Sequence, residues 1–377
     1  MKKIILIILT TFIFTGLSFG LDLIDDPIFS PVLPDFIGRG NAVTATAHGY
    51  GALFTNPAGF SKADGSFTLL SASINPYFAP NAENIKNFKL AIDDQTAAID
   101  LLSDLIVTNG IGANANTGIA FVGKGLGLAV VVDVDSYGRG KTALGTEVDA
   151  VGTAAVIAGL SFNPQLGPFS IHVGGDLRLM YRISMDNISV LDLISLSDGT
   201  GAPDVNVLSG GGLAIDLGTI VDVGSWSFGM SVRDIGGTKF YYEYENLDTG
   251  AVGNVEDDFG VEYKIPMVVS TGIGYHPNLG ALKLIIDPTF NFEYQHIYYA
   301  DEDNTPSFWT GVHAGTEIKV LRFMKVRAGI NQGYITVGIG AKLLFLDLNM
   351  AYFTREMGEY AGVDPNSGLS LEVAIRF

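Results

Sequence analysis

Residues 369–377 read Leu369-Ser370-Leu371-Glu372-Val373-Ala374-Ile375-Arg376-Phe377, with Leu, Leu, Val, Ile and Phe on one parity and Ser, Glu and Arg on the other. Strict alternation over this length describes a strand with one apolar and one polar face. The same period recurs upstream. Leu282, Leu284, Ile286, Phe290, Phe292 and Tyr294 alternate with Lys283, Asp287, Asn291, Glu293 and Gln295. Phe169, Ile171, Val173, Leu177, Leu179 and Tyr181 alternate with His172, Asp176, Arg178 and Arg182.

Carried along the chain, the pattern predicts fourteen strands, near 66–78, 115–123, 125–136, 151–163, 168–183, 205–217, 224–235, 265–276, 282–296, 308–319, 322–331, 333–343, 344–354 and 368–377. The polar parity holds ionised groups of both signs (Asp133, Asp135, Asp216, Arg233, Glu317, Lys319, Lys325, Arg327, Lys342, Asp347), whereas the apolar parity is almost free of charge. A soluble β-sandwich also alternates, but its outer face meets water and is not cleared of charge. The expected fold is therefore all-β: a transmembrane antiparallel β-barrel of about fourteen strands, with lipid on the apolar face and the lumen on the polar one. Trp226, Tyr275, Tyr294, Phe308 and Tyr352, near strand ends on the apolar side, suit interfacial girdles.

Connection lengths agree with that reading. Tight links at 123–125, 163–167, 218–224, 276–280, 320–322 and near 344 alternate with long ones at 79–114, 137–150, 184–204, 236–264, 297–307 and 355–367, with only Asn331 to Gly333 short on the long-loop side. Outer-membrane barrels place short turns on the periplasmic side and long loops outside. Hydrophobic residues make up 47% of the chain with no apolar run long enough for a spanning helix after residue 20, and glycine, 47 of 377 residues, suits curved, closely packed strands.

Residues 1–20 read as a signal peptide: Lys2 and Lys3, then the apolar run Ile4 to Phe14, then small Ser18 and Gly20. An outer-membrane location and a mature chain starting near Leu21 follow. The absence of cysteine excludes disulfides and thiolate metal sites, and a net charge of -18 argues against nucleic-acid binding. No cofactor or metal is expected. The five histidines (His48, His172, His276, His296, His313) are scattered and form no catalytic motif, so no enzymatic activity is expected. Acidic loop residues such as Glu243, Glu245 and Glu256 to Asp258 read as solvated loops, or as bridges through divalent cations to a charged outer surface.

Residues 21–65 lack the period and are rich in Gly, Pro, Ala and Asn, as expected of a plug inside the lumen. They contain Gly38-Arg39-Gly40-Asn41-Ala42 and Phe54-Thr55-Asn56-Pro57-Ala58-Gly59-Phe60. Asn56 can cap its own turn, Pro57 fixes the backbone, and Ala58 and Gly59 permit close approach to the wall. The segment reads equally as a tight turn entering strand one or as a moving gate.

These motifs resemble the N-terminal hatch of the FadL family, outer-membrane transporters of long-chain fatty acids and other hydrophobic compounds. They are also similar to those of PorV-type barrels that serve secretion and bind protein partners. The first resemblance implies a hatch at Gly38, Gly40, Asn56, Pro57, Ala58 and Gly59, external loops that capture the ligand, and sideways release where a wall strand is kinked. Ile85, Phe88, Ile92, Ile99, Leu102 and Leu105 recur at helical spacing over about 83–107, and Ile188 to Leu196 offers a second oily stretch. Together they form either a cap on the mouth or a groove for an apolar ligand. Candidate ligand contacts are thus Phe54, Phe60, Ile85, Phe88, Ile92, Leu102, Leu105 and Ile194. Pro288, which lacks an N–H, is the candidate lateral opening. The expected function is passive uptake of hydrophobic compounds such as long-chain fatty acids; the alternatives are a secretion-associated barrel and a general porin.

Overall fold

The computed structural model describes residues 22–78, 110–140, 146–189, 204–300, 307–357 and 362–377, together with ten single residues between them. Within these, nineteen strands form one sheet, and fourteen of them close into a barrel. The wall strands are β1 (Ser66–Phe78), β2 (Ile111–Gly123), β3 (Leu126–Gly140), β4 (Thr146–Phe162), β5 (Phe169–Ser189), β6 (Asn206–Val223) and β7 (Trp226–Arg233). They continue with β8 (Met267–Tyr275), β9 (Ile286–Tyr298), β10 (Val312–Val320), β11 (Met324–Asn331), β12 (Tyr334–Leu343), β13 (Leu346–Glu356) and β14 (Pro365–Arg376). Each pairs antiparallel with the next, and β14 closes on β1, with Leu371 opposite Ile74. Closure gives every wall strand two neighbours and leaves no open edge, which a bilayer requires because it offers no water to unpaired backbone.

The expected fourteen strands are all present. Turn chemistry sets the hairpins: Lys124 and Gly125 between β2 and β3 both take positive φ, as do Gln332 and Gly333 between β11 and β12. That pair of left-handed residues matches the twist of two-residue hairpins. Faces follow parity as well. Leu177, Leu179, Tyr181 and Ile183 of β5 are exposed to the outside, while Asp176, Arg178 and Arg182 are buried within. The Trp226 and Tyr275 rings stand 4.5 Å apart on adjacent strands, and Tyr294 stacks on Phe308 at 4.8 Å.

Three expectations change in detail. The ninth strand begins at Ile286, because Gly280–Leu284 forms a 3-10 turn. The tenth begins at Val312 after another such turn at Phe308–Gly311. The link 236–264 is not a plain loop: it adds strands Thr238–Asn246, Val252–Asn254 and Val261–Ile265 and a short helix, Val255–Phe259. These stand on the long-loop rim, where Thr238–Asn246 pairs with the upper part of β6. Asp22–Asp25 joins them, running parallel to Val261–Ile265.

Candidate functional site

From Asp26 to Lys62 the chain runs inside the barrel as short helical turns, and many of the wall positions beneath it are glycines. A Cβ on Gly338 would meet Gly38 Cα at 3.0 Å; on Gly329, Gly40 N at 2.4 Å; on Gly229, Ala45 Cα at 2.5 Å; on Gly174, Pro57 O at 2.5 Å; on Gly127, the Phe60 ring at 2.7 Å. These glycines lie on five different strands, so the luminal segment follows a track in which only hydrogen fits. Gly40, at φ +62°, has a second constraint: a side chain there would strike the carbonyls of Ala314 and Ile330.

Polar side chains hold the segment on this track. Glu293 of β9 accepts from Val43 N at 2.7 Å, Thr44 N at 2.8 Å and Thr44 Oγ1 at 2.8 Å. Asn56 is fully buried; its Oδ1 accepts from Ala58 N at 3.1 Å, and its Nδ2 donates to the carbonyls of Thr44, Thr219 and Met230. A Cβ at Gly218 would collide with that amide. Asn56 therefore caps its own turn and also ties the turn to β6 and β7. Near the short-turn rim, Ser161 Oγ donates to Ala58 O at 3.0 Å and Lys62 pairs with Asp222 at 2.8 Å. Farther up, the carbonyl of Val32 accepts from Ser73, Asn75 and Asn116.

Above the track lies a cavity of 660 Å³, lined by residues of Asp25 to Ile37 and by Asp133, Asp135, Thr153, Arg182, Arg233 and Arg355. Its charges are partly paired: Arg182 with Asp26 at 2.7 Å and Arg355 with Asp135 at 3.2 Å. Burial pushes the Asp26 carboxyl up, against the pull of Arg182 and the Tyr242 hydroxyl. One side of the interior is apolar instead. Tyr244 and Phe259 (4.9 Å), Tyr242 and Tyr263 (5.3 Å), and Phe240 and Tyr242 (5.4 Å) form an aromatic ladder from the long-loop rim. Its inner members Phe240 and Tyr242 belong to the same apolar cluster as Phe29, Phe54 and Phe60 of the luminal segment, and Tyr244 and Tyr263 pack against it.

Beside the ladder the wall parts. β7 pairs with β6 only as far as Val232 opposite Leu217, and pairing resumes at Phe240 opposite Gly212. Between them Asp234–Gly237 forms a turn, closed by Gly237 N to Asp234 O at 2.7 Å, with positive φ at Asp234, Gly236 and Gly237. Asp234 N bonds the Asp216 carboxylate at 2.7 Å, and a single backbone bond, Ile235 N to Ile215 O at 3.1 Å, crosses to β6. Leu213 and Ile215, on the β6 side, are 58% and 41% exposed, so the turn sits within the apolar outer belt.

Of the sequence-derived candidates, Gly38, Gly40, Asn56, Pro57, Ala58 and Gly59 all lie on the track, and Phe54 and Phe60 are buried in the apolar cluster. Leu105 is buried. Ile85, Phe88, Ile92, Leu102 and Ile194, most of 83–107, and the signal segment lie outside the described residues. At Pro288 the β9–β10 ladder continues, from Ile286 opposite Val320 to Tyr294 opposite Val312, whereas the β8–β9 ladder ends at Tyr275 opposite Phe290. Sequence reasoning missed the glycine track and the turn. Each left a signal, the first in glycines on luminal parity such as Gly272 and Gly274, the second in the loss of alternation at Asp234-Ile235-Gly236-Gly237.

No family model and no curated protein matches the sequence. Solved structures do. The CymD monoaromatic hydrocarbon channel superposes with a TM-score of 0.52 at 12% identity, over 92% of this chain and 97% of that one. A TodX monoaromatic hydrocarbon channel, as its deltaS2S3 mutant, gives 0.50 at 10% identity, over 92% and 98%. The Ralstonia pickettii toluene transporter TbuX gives 0.48 at 10% identity, over 92% and 98%. With the first two, what this chain shares is the fold, along nearly the whole length of both partners.

Proposed function

We propose that the chain is a passive outer-membrane channel for hydrophobic compounds. An apolar solute enters along the aromatic ladder and leaves sideways through the wall at Asp234–Gly237, with residues 21–65 acting as the hatch that bars the straight route. The observation that carries this reading is the juxtaposition of ladder and interruption. The ladder ends beside the place where strand pairing lapses. Straight descent is unfavourable for an oily molecule because Asp133, Asp135, Arg182 and Arg233 line the cavity below alongside Phe29 and Phe54, and the luminal segment is bonded to the wall. Lateral release keeps the solute in apolar surroundings, where each methylene withheld from water contributes about 0.8 kcal/mol.

Long-chain fatty acids are the ligands that the hatch motif implies. Monoaromatic hydrocarbons are added by the description of the structures that share the fold. Both classes are tested in one experiment. Proteoliposomes carrying the protein are given radiolabelled toluene or oleate, with and without a disulfide between Ile215→Cys and Ile235→Cys. The expected result is uptake of at least one class, abolished by the cross-link and restored by reductant. Equal uptake with the cross-link intact rejects the lateral route, and no uptake above protein-free vesicles rejects the channel.

A further inference from the structure

One buried guanidinium gathers what the β6–β7 ladder leaves apart. Arg178 leaves β5 towards the lumen and is 1% exposed. Its Nη2 donates to Asp216 of β6 at 3.1 Å and to Asp234, the first residue of the turn, at 3.0 Å. Its Nη1 donates to the Phe29 carbonyl at 3.4 Å, and the guanidinium lies over the Phe29 ring at 5.5 Å. Arg233 reaches the same carbonyl at 2.7 Å, and Thr238 Oγ1 donates to Asp234 at 2.8 Å.

Charge balance alone does not account for this arrangement. Arg327 and Glu317 also form a buried pair, at 2.7 Å, but they join β11 to β10, whose ladder is unbroken. Arg178 instead spans two strands that have parted, and it adds a contact to the luminal segment. A planar fork with several donors is the side chain that can hold two carboxylates and a carbonyl at once.

We infer that Arg178 is a positioning residue that couples the seating of Phe29 to closure of the wall at Asp234–Gly237. With Phe29 docked, the fork is held across Asp216 and Asp234 and the turn stays shut. A solute descending the ladder displaces the Phe29 ring, the fork loses its contacts on that side, and Asp234 is released. The inference rests on the channel reading above and adds to it the device that links ligand arrival to release.

The chain has no cysteine, so a single Ile235→Cys carries a nitroxide label whose mobility reports on the turn in lipid vesicles. Phe29→Ala is expected to raise the mobile fraction about fivefold or more, the low end of coupling between sites. In an Arg178→Lys background, where an ammonium keeps the charge but cannot hold three acceptors in the fork geometry, the label is already mobile and Phe29→Ala adds nothing. Independent, additive effects overturn the inference, as does a label indifferent to Phe29→Ala. Folding of each variant is checked by its heat-dependent shift on a gel. Should Arg178→Lys fail that check, Asp234→Asn, which weakens only the contact to the turn, takes its place in the same comparison. Toluene and oleate uptake by the same vesicles separates the two claims. Coupled label mobility without uptake keeps the interlock and defeats the channel reading; uptake with an indifferent label defeats the interlock alone.

Discussion

The wall from β2 to β5 and the wall from β6 to β8 are made of the same material, yet the first stays paired along its length, with one register shift between Val148 and Ala150, and the second does not. β3 meets β4 without a break from Leu126 opposite Leu160 to Gly140 opposite Thr146. β7 loses β6 after Val232, and the strand resumes as Thr238–Asn246 only after a turn. The cause is local chemistry. β3 runs Val130, Val131 and Val132 through its middle, residues that favour extended backbone. Asp234 offers its N–H to a side chain instead of the ladder, Gly236 and Gly237 adopt positive φ, and Pro266 in the facing segment has no N–H to give. A barrel can thus be opened at a chosen point without any loss of alternation in the strands around it.

The largest effect expected from testing that contrast is on the outer face. Leu179→Arg, paired opposite Val156, places a charge on the outer face of the continuous wall and should destabilise the barrel by about 2–4 kcal/mol, as at the bilayer midplane. At Ile235, half-buried beside the exposed Gly236, the same substitution should cost less, because the interrupted ladder lets the long side chain swing its charge out of the apolar belt. Urea unfolding from phospholipid vesicles measures both. Equal costs would mean that the two regions present the same surface to lipid.

Next in size is the inner face. Gly174→Val on β5 drives a side chain into the backbone of Pro57, with nothing flexible to yield, and should cost about 1–3 kcal/mol. Gly236→Ala in the turn has open space around it and meets only the penalty of its φ of +75°, about 1 kcal/mol. A result in the reverse order would show that the turn, and not the track, is the tightly built region.

The fold was legible because lipid and water sort alternate residues along most of each strand; Leu69 and Leu70, both exposed, break the pattern where β1 shifts register. Asp176, Arg178 and Arg182 could be assigned to the interior before any coordinates. The rim strands were not legible, since Tyr241 to Glu245 alternates for too few residues and among too many acids to distinguish a strand from a loop. Asn56 stood out through its motif, but its bonds to Thr219 and Met230 depend on wall strands more than 160 residues away, and no local pattern records them. Glu293 was placed in the lumen by parity alone. Its grip on Val43 and Thr44 required the path of the luminal segment.

Glu293→Gln probes that grip with a smaller perturbation. The amide keeps the shape and can still serve Val43, Thr44 and the Thr44 hydroxyl, so only the charge assistance is lost, about 1 kcal/mol. The expected outcome in planar bilayers is more frequent brief openings to ions, with hydrocarbon uptake unchanged because the lateral route passes Phe29 and not the part of the hatch that Glu293 holds. A parallel rise in uptake would place Val43 and Thr44 on the solute's path.

The smallest effect is expected at Pro288, and it bears most directly on where the wall opens. Proline within a strand marks a break only when its missing N–H faces a partner that needs it. Here β9 pairs with β10 through Pro288, opposite Ile318, while on the other side the β8 ladder reaches only to Tyr275 opposite Phe290. That second edge has already ended, two residues short of Pro288. Pro288→Ala should therefore shift stability by less than about 0.5 kcal/mol, as surface substitutions do, and leave uptake of toluene and oleate unaltered in the proteoliposome assay. A marked loss of uptake would move the opening from the β6–β7 turn to β9, and the aromatic ladder would then lead to the wrong side of the barrel.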